Sequence, residues 1–179
     1  FGSHSGPVSR IGVVENRLVP FRNAPGLSLQ SPEGPSEQLA VFSDGDAMTT
    51  IDRHSAQSSP GYMAYMSSAL PFLLGRQFER VLVLNAGTGA GILQAAAFDS
   101  RHIDAVEPDS QLTRLASETF SGYSGWQQLR GRVELHNTTA RAWAATADQP
   151  YDLVVIGVPG ASSGGAAGVY AFSANFDLT

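Results

Sequence analysis

"VLVLNAGTGAGILQAAAFDSRHIDAVEPD", residues 81–109, decides the fold class of this chain. It places Gly87, Gly89 and Gly91 at alternate positions between an apolar run and an Ala-rich run, and a second apolar run ends at Glu107. Glycines after a strand let the chain turn sharply and let backbone N–H groups approach a ligand. The helix that follows begins at that ligand, so its N-terminus suits a carboxylate or a phosphate. The stretch therefore predicts a strand, a ligand loop, a helix and a second strand.

The spacing within this stretch narrows the kind of ligand. A dinucleotide fingerprint reads G-x-G-x-x-G, but Ile92 stands where the third glycine belongs, so the loop reads G-x-G-x-G. Glu107 follows Gly87 by 20 residues, where a carboxylate can accept both hydroxyls of a ribose. Pro108 and Asp109 then predict the first turn and the cap of a helix. These features favour a nucleoside site over a merely structural tight turn.

Downstream of residue 80, apolar runs alternate with segments of helical pattern. The runs are residues 81–84, 103–106, 133–135 and 153–156, and the helical segments are 92–98, 111–120 and 140–145. Apolar strands separated by helices indicate a parallel sheet covered on both faces. We predict a doubly wound, Rossmann-like α/β domain over residues 61–179. Such sheets have roughly six strands, whereas four precede residue 179, so we expect a C-terminally incomplete fragment of a longer protein.

Residues 1–60 predict an N-terminal β extension and a linker. Short strands are predicted at residues 11–14 and 39–43, separated by a Pro/Gly/Ser-rich stretch. Asp44 and Gly45 form a turn signal between apolar and β-branched residues, which predicts a hairpin. Apolar residues at helical spacing predict a core helix over 62–74, where Pro71 limits the continuation.

The composition excludes several classes of protein. The chain has 179 residues, is 42% hydrophobic and carries a net charge of −5. Its 11 Lys and Arg residues are scattered, which argues against a nucleic-acid partner. Cysteine is absent, so disulfides and thiolate metal sites are excluded. No apolar run reaches the roughly 18 residues that a transmembrane helix needs, so we expect a soluble piece.

"NAGTGAG" followed by "AVEPD" resembles the first two motifs of class I S-adenosylmethionine-dependent transferases. That family's first motif begins with an acidic residue, and Asn85 stands at its position here. Further stretches resemble the landmarks of spermidine synthase-like domains in the same order: "LAVFSDGDAMTTID", "RVELHNTTARAW", "YDLVVIGVPG" and "GVYAFSANF". The likeness covers residues 9–179 and is closest to versions fused to multi-pass membrane proteins.

The resemblance implies a ligand and the residues that contact it. The ligand is S-adenosylmethionine, its decarboxylated form or methylthioadenosine, without a metal, and an aminopropyl or methyl group is transferred to a small acceptor such as a polyamine. Thr139 and Ala140 fall at the adenine-contacting motif, with Thr139 in place of the usual Asp. The implied binding residues are Asn85, Ala86, Gly87, Thr88, Gly89, Gly91, Glu107, Pro108, Thr139, Ala140 and Gly157. We also expect a cytoplasmic location, as the soluble domain of a membrane-anchored parent, and hypothesise a homodimer formed through the N-terminal β extension.

The catalytic residues are less defined than the binding residues. Aminopropyltransferases end the fourth strand in a D-x-x-D loop whose carboxylate deprotonates the amine, but Gly157 and Gly160 stand at those positions. Asp44 and Asp52 are candidates for a relocated carboxylate, with turn and cap roles as the alternative. Tyr170 falls near the aromatic residue that follows the catalytic loop. Two interpretations remain: a transferase whose acceptor needs little acid–base help, or a non-catalytic sensor or structural module.

Two other patterns were weighed as catalytic or metal sites. Ser162 lies in a G-x-S-x-G sequence, but a nucleophile elbow is followed at once by a helix, and here a Gly-rich loop continues. We therefore predict a mobile active-site loop there. The four histidines lack paired ligand spacing, and we predict no metal site from them; they are His4, His54, His102 and His136.

Overall fold

A computed structural model of the protein describes residues 2–5, 10–45, 47–54 and 61–157. Over this part of the chain the strands form two four-stranded sheets, an antiparallel one near the N-terminus and a parallel one after it. Gly160, Ser162 and Tyr170 lie outside the described residues. Within the described residues, no helix combines the length and apolar character needed to cross a membrane.

The N-terminal sheet is antiparallel throughout, in the order β1-β2-β3-β4. Its strands are β1 (Gly2–Ser5), β2 (Arg10–Val14), β3 (Gln38–Ser43) and β4 (Ala47–Asp52). The predicted strands at 11–14 and 39–43 are confirmed, as is the hairpin between β3 and β4. Asp44 and Gly45 both adopt positive φ in its turn, which Asp and Gly tolerate well. Strand β1 was not predicted.

The predicted helix over 62–74 is wrong. The chain instead makes two 3₁₀ turns, Gly61–Tyr65 and Ser67–Ala69, and one short helix α1, Leu70–Leu73. Pro71 lies in the first turn of α1, where its missing N–H removes no helical hydrogen bond. Pro71, which was expected to limit a helix, therefore lies at the start of one. Tyr62 and Met63 are buried, as expected of core residues.

The second sheet is parallel, in the order β7-β6-β5-β8. Its strands are β5 (Arg80–Leu84), β6 (His102–Val106), β7 (Val133–His136) and β8 (Leu153–Ile156). Helices α2 (Ala90–Ala97) and α5 (Ala140–Thr146) follow β5 and β7. Residues of α2 pack on Val81 and Val83, whereas α5 packs on the alternate residues Leu82 and Leu84. The helices therefore cover opposite faces, which confirms the doubly wound α/β prediction.

The segment between β6 and β7 joins the two sheets. It contains α3 (Ser110–Arg114), a π-helical turn (Leu115–Thr119), α4 (Ser121–Ser124) and a 3₁₀ turn (Trp126–Leu129). The predicted helix over 111–120 is thus helical at its start and widens into the π turn. Leu115 in that turn is buried among Ile11, Val41 and Ile51 of the N-terminal sheet. This packing holds the N-terminal sheet beside the carboxyl edge of the parallel sheet.

Candidate functional site

The glycine loop, residues 85–89, connects β5 to α2 at the carboxyl edge of the parallel sheet. Gly87 and Gly89 have φ angles of 56° and 101°, in the left-handed region that glycine adopts without strain. A β-carbon built at Gly87 would meet no atom within 4 Å, so the bend opens onto free space. A β-carbon at Gly91 would lie 3.1 Å from Val83 Cγ1, so the third glycine allows α2 to pack closely on β5. Gly87 and Gly89 therefore allow the loop to bend, Gly87 leaves one side of it open, and Gly91 lets the following helix pack on β5.

Glu107 faces this loop from the end of β6. Its side chain is buried, with 6% of the residue exposed, and its Oε2 accepts a hydrogen bond from the Gly87 N–H at 2.8 Å. Its Oε1 accepts from the Asp109 N–H at 2.9 Å. Asp109 in turn caps α3 by accepting from the Gln111 N–H, as its position predicted. The acid and the bend predicted from the sequence thus meet at one edge of the sheet.

Asn85 and Gly157 close the neighbouring end of the site. Asn85 has a φ of 54°, and its side-chain amide donates to the Gly157 carbonyl at 3.3 Å. A β-carbon at Gly157 would lie 2.4 Å from the Asn85 carbonyl oxygen, closer than real β-carbon contacts occur. Since that oxygen belongs to the backbone, no side chain fits at Gly157 without moving the loop. The position at which the sequence resemblance implies an acid is therefore sterically closed here.

Thr139 and Ala140 begin α5 at the same sheet edge. Thr139 caps the helix, its Oγ1 accepting from the Ala142 N–H at 3.2 Å, and Ala140 is buried. The preceding Asn137 donates from its side-chain amide to the carbonyl oxygens of Glu107 and Pro108, at 2.8 and 2.9 Å. It ties the end of β7 to the turn that carries Glu107. Sequence reasoning missed this role, although an Asn directly after a strand that pairs with the acid's strand was an available signal.

Trp126 also borders the loop, since its Cζ3 lies 3.5 Å from a β-carbon built at Gly89. Two cavities, of about 540 and 530 Å³, lie against the N-terminal sheet, and neither is lined by a residue of the glycine loop. The chain that follows β8 lies outside the described residues. Neither of these two cavities therefore coincides with the candidate site.

The two aspartates considered for a relocated carboxylate lie in different environments. Asp44 is exposed in the β3–β4 turn, and its Oδ1 accepts from the Arg10 N–H at 2.9 Å. Asp52 is buried at the end of β4 and accepts from the Tyr62 hydroxyl at 2.5 Å and from the Gln38 amide at 2.6 Å. Burial raises the pKa of Asp52 despite these donors. Asp44 therefore serves the turn, and Asp52 is held inside a polar network of the protein.

A second buried carboxylate, Asp104 in the middle of β6, lies in a charged cluster that the sequence analysis missed. Its Oδ1 lies 2.8 Å from His136 Nε2, and its Oδ2 lies 3.3 Å from both His102 Nε2 and Arg80 Nη2. Burial alone would raise the pKa of Asp104, but hydrogen bonds from His136 and Tyr151, with His102 and Arg80 nearby, lower it overall. Parallel register, which no local spacing reveals, brings these residues together.

This charged cluster includes residues of the types that bind metal ions, although the sequence shows no paired metal-ligand spacing. His102, Asp104 and Glu134 place ligand atoms within 4.8 Å of one another. The guanidinium of Arg80 already lies against the Asp104 carboxylate and supplies the positive charge that a cation would bring. The donor set therefore fits an ion-pair network better than a metal centre.

Comparison with known proteins shows a similarity of fold to two solved structures. No family model matches the sequence, and no curated protein matches it. The crystal structure of spermidine synthase from Thermotoga maritima matches with a TM-score of 0.60 at 18% identity, over 87% of this chain and 47% of that one. A spermidine synthase in complex with the transition state analogue AdoDATO matches with a TM-score of 0.58 at 18% identity, over 87% and 45%. The chain spans about half the length of these proteins. The part of this chain that is matched therefore shares its fold with these two spermidine synthases.

Proposed function

We propose that the domain binds an adenosine carrying a sulfur substituent and transfers an aminopropyl or methyl group from it to a small acceptor. The group donor is S-adenosylmethionine or its decarboxylated form, and methylthioadenosine, the thioether that remains after aminopropyl transfer, binds at the same site. The observation that carries the proposal is the hydrogen bond from the Gly87 N–H to Glu107, which joins an open glycine bend and a buried acid at one sheet edge. This is the edge at which doubly wound folds bind their ligands.

Each part of the edge has a role in this binding. The ribose hydroxyls donate to the carboxylate of Glu107, which as an ionised group has about four acceptor sites. The first turn of α2 offers backbone N–H groups to the substituent on sulfur and favours its carboxylate where one is present. Thr139 and Ala140 border the adenine, and Trp126 supplies an apolar side to the crevice.

Group transfer places a specific demand on the acceptor. The acceptor's nucleophilic atom bonds to the carbon next to the sulfonium, the carbon–sulfur bond breaks, and the electron pair leaves on a neutral thioether. An ammonium acceptor must first lose a proton to a base. Because a side chain at Gly157 would meet the Asn85 carbonyl, that base does not come from this position. We therefore propose an acceptor that needs little deprotonation, for which positioning supplies most of the catalysis.

The closed position at Gly157 also favours a second candidate, a nucleotide-binding module without turnover. The two candidates share the ligand and differ in the product. Incubation with S-adenosylmethionine and candidate acceptors releases S-adenosylhomocysteine if methyl transfer occurs. Incubation with the decarboxylated form and putrescine releases methylthioadenosine if aminopropyl transfer occurs. Binding without either product supports the module.

A thermal-shift panel tests the shared proposal first. Ligands that bind only the native state raise the melting temperature by mass action, by an amount that grows with ligand concentration over Kd. We expect shifts with S-adenosylmethionine, S-adenosylhomocysteine and methylthioadenosine, and none with guanosine or NAD. Equal melting temperatures across the panel, at ligand concentrations up to the millimolar range, would overturn the proposal.

A further inference from the structure

The glycine loop is fastened to the N-terminal sheet by one side chain, Thr88. This residue stands between the two left-handed glycines and is buried, with 5% of its surface exposed. Its Oγ1 donates to the Thr50 carbonyl at 2.6 Å and lies 3.1 Å from Thr49 Oγ1. Both partners belong to β4, 38 and 39 residues earlier in the chain. A short, buried hydrogen bond therefore links the predicted ligand loop to a different sheet.

The other hydrogen bonds of the loop stay within it or go to the parallel sheet and the residues at its carboxyl edge, as from the Ala86 N–H to the Val106 carbonyl at 3.0 Å. Glycine loses more conformational freedom on folding than any other residue, so a loop with two left-handed glycines is held by its hydrogen bonds. The Gly87 N–H donates to Glu107, and the Gly89 N–H donates to the Ala86 carbonyl at 2.9 Å. Thr88 supplies the only side chain of residues 87–89. Its hydroxyl therefore joins the middle of the loop to β4 of the other sheet.

We propose that Thr88 is a positioning residue and that β4 is a structural part of the ligand site. The contact between Thr88 and β4 is called the threonine clamp. The clamp orders the glycine loop before ligand arrives, so that less ordering remains to be done on binding. By linkage, a ligand that needs the ordered loop also strengthens the docking of β4. This inference rests on the proposed function for its ligand and on the described hydrogen bonds for the clamp itself.

Hydrogen exchange of the whole protein, read by mass spectrometry on peptides covering 47–54 and 85–92, tests the clamp without ligand. Thr88→Val keeps the shape and removes the hydroxyl, whereas Thr88→Ser keeps the hydroxyl. Thr113→Val is the matched control, because the Thr113 hydroxyl donates only within its own helix turn, to Ser110. We expect Thr88→Val to speed exchange in both peptides about tenfold, and the serine and control variants to change it by less than about threefold.

Wild-type exchange rates in Thr88→Val, in either peptide, would overturn the clamp. If the valine variant does not fold, Thr88→Ala replaces it with the same expected result, and unchanged exchange at residues 102–106 certifies the fold.

Calorimetry with methylthioadenosine tests the positioning role separately. We expect Thr88→Val to weaken binding at least about fivefold and Thr88→Ser by less than about twofold. Equal affinity of wild type and Thr88→Val would overturn the positioning role. If the wild type itself binds none of the adenosine ligands, the proposed function fails, while the exchange comparison still decides whether the clamp exists.

Discussion

The two sheets each bury one aspartate to nearly the same depth, yet their carboxyl groups differ in charge preference. Asp52 in the N-terminal sheet is 4% exposed and Asp104 in the parallel sheet is 3% exposed. The pKa of Asp52 is raised, whereas that of Asp104 is lowered. Desolvation raises the pKa of both groups and is the largest single cause in each, so the neighbours of Asp104 offset it whereas those of Asp52 do not.

The groups around Asp52 and those around Asp104 differ more in charge than in number. Asp52 accepts hydrogen bonds from the neutral side chains of Tyr62 and Gln38. Asp104 faces the guanidinium of Arg80 and the rings of two histidines. Relative to an unperturbed aspartate, the pKa of Asp52 is therefore shifted toward retention of the proton and that of Asp104 toward its loss. The exposed fraction of a buried aspartate alone therefore does not predict the direction of its pKa shift in this protein.

Removing the Asp104 side chain produces the largest expected effect. Asp104→Ala leaves Arg80 and His136 without their buried partner, and breaking a buried pair in this way costs about 3 kcal/mol in the free energy of unfolding. Urea denaturation measures the loss, with the exposed Asp148→Ala as a control expected to change stability by less than about 0.5 kcal/mol. A loss below about 1 kcal/mol for Asp104→Ala would mean that the charged cluster contributes little.

Neutralising Asp52 should have a smaller effect. Asp52→Asn keeps one carbonyl acceptor for Tyr62 or Gln38 and removes a charge that the site already disfavours. We expect a loss of about 1 kcal/mol, the net scale of one hydrogen bond, in the same urea experiment. If the loss equals that of Asp104→Ala, the two carboxyl groups do not differ as described.

The smallest expected effect is a difference in how the stability losses at Asp104 and Asp52 depend on pH. A carboxyl with a lowered pKa adds stability above its usual value of 3.8, and that stability is lost as the pH falls below it. A carboxyl with a raised pKa keeps its proton to a higher pH in the folded state than in the unfolded state. Its contribution to stability therefore falls as the pH rises above 3.8. Between about pH 3 and about pH 7, the deficit of Asp104→Asn should therefore grow with pH and that of Asp52→Asn should shrink. Parallel pH profiles would contradict the comparison.

Local sequence patterns predicted much of the parallel sheet and its ligand edge. Apolar runs located its four strands, and the G-x-G-x-G spacing located the bend that meets Glu107. Both signals are local, because each arises from residues close together in the chain. The helix prediction over 62–74 failed because periodicity cannot distinguish successive 3₁₀ turns from one helix.

The features that depend on contacts between strands could not be read from local patterns. The charged cluster around Asp104 needs the register of β5, β6 and β7. The steric closure at Gly157 needs the left-handed conformation of Asn85, and the threonine clamp needs the placement of β4. In each case, residues distant in the chain interact through atoms whose positions only the folded backbone determines.

Calorimetric titration of Glu107→Gln tests the central claim, that the acid at the end of β6 binds the ribose of an adenosine ligand. Wild type should bind S-adenosylmethionine or methylthioadenosine, and Glu107→Gln should weaken that binding by about 1.5 to 3 kcal/mol, the scale of charge-assisted hydrogen bonds. Glu118→Gln, at an exposed acid in the following segment, should bind as the wild type does. Equal affinity of Glu107→Gln and wild type, in a variant whose unfolding is unchanged, would contradict the account.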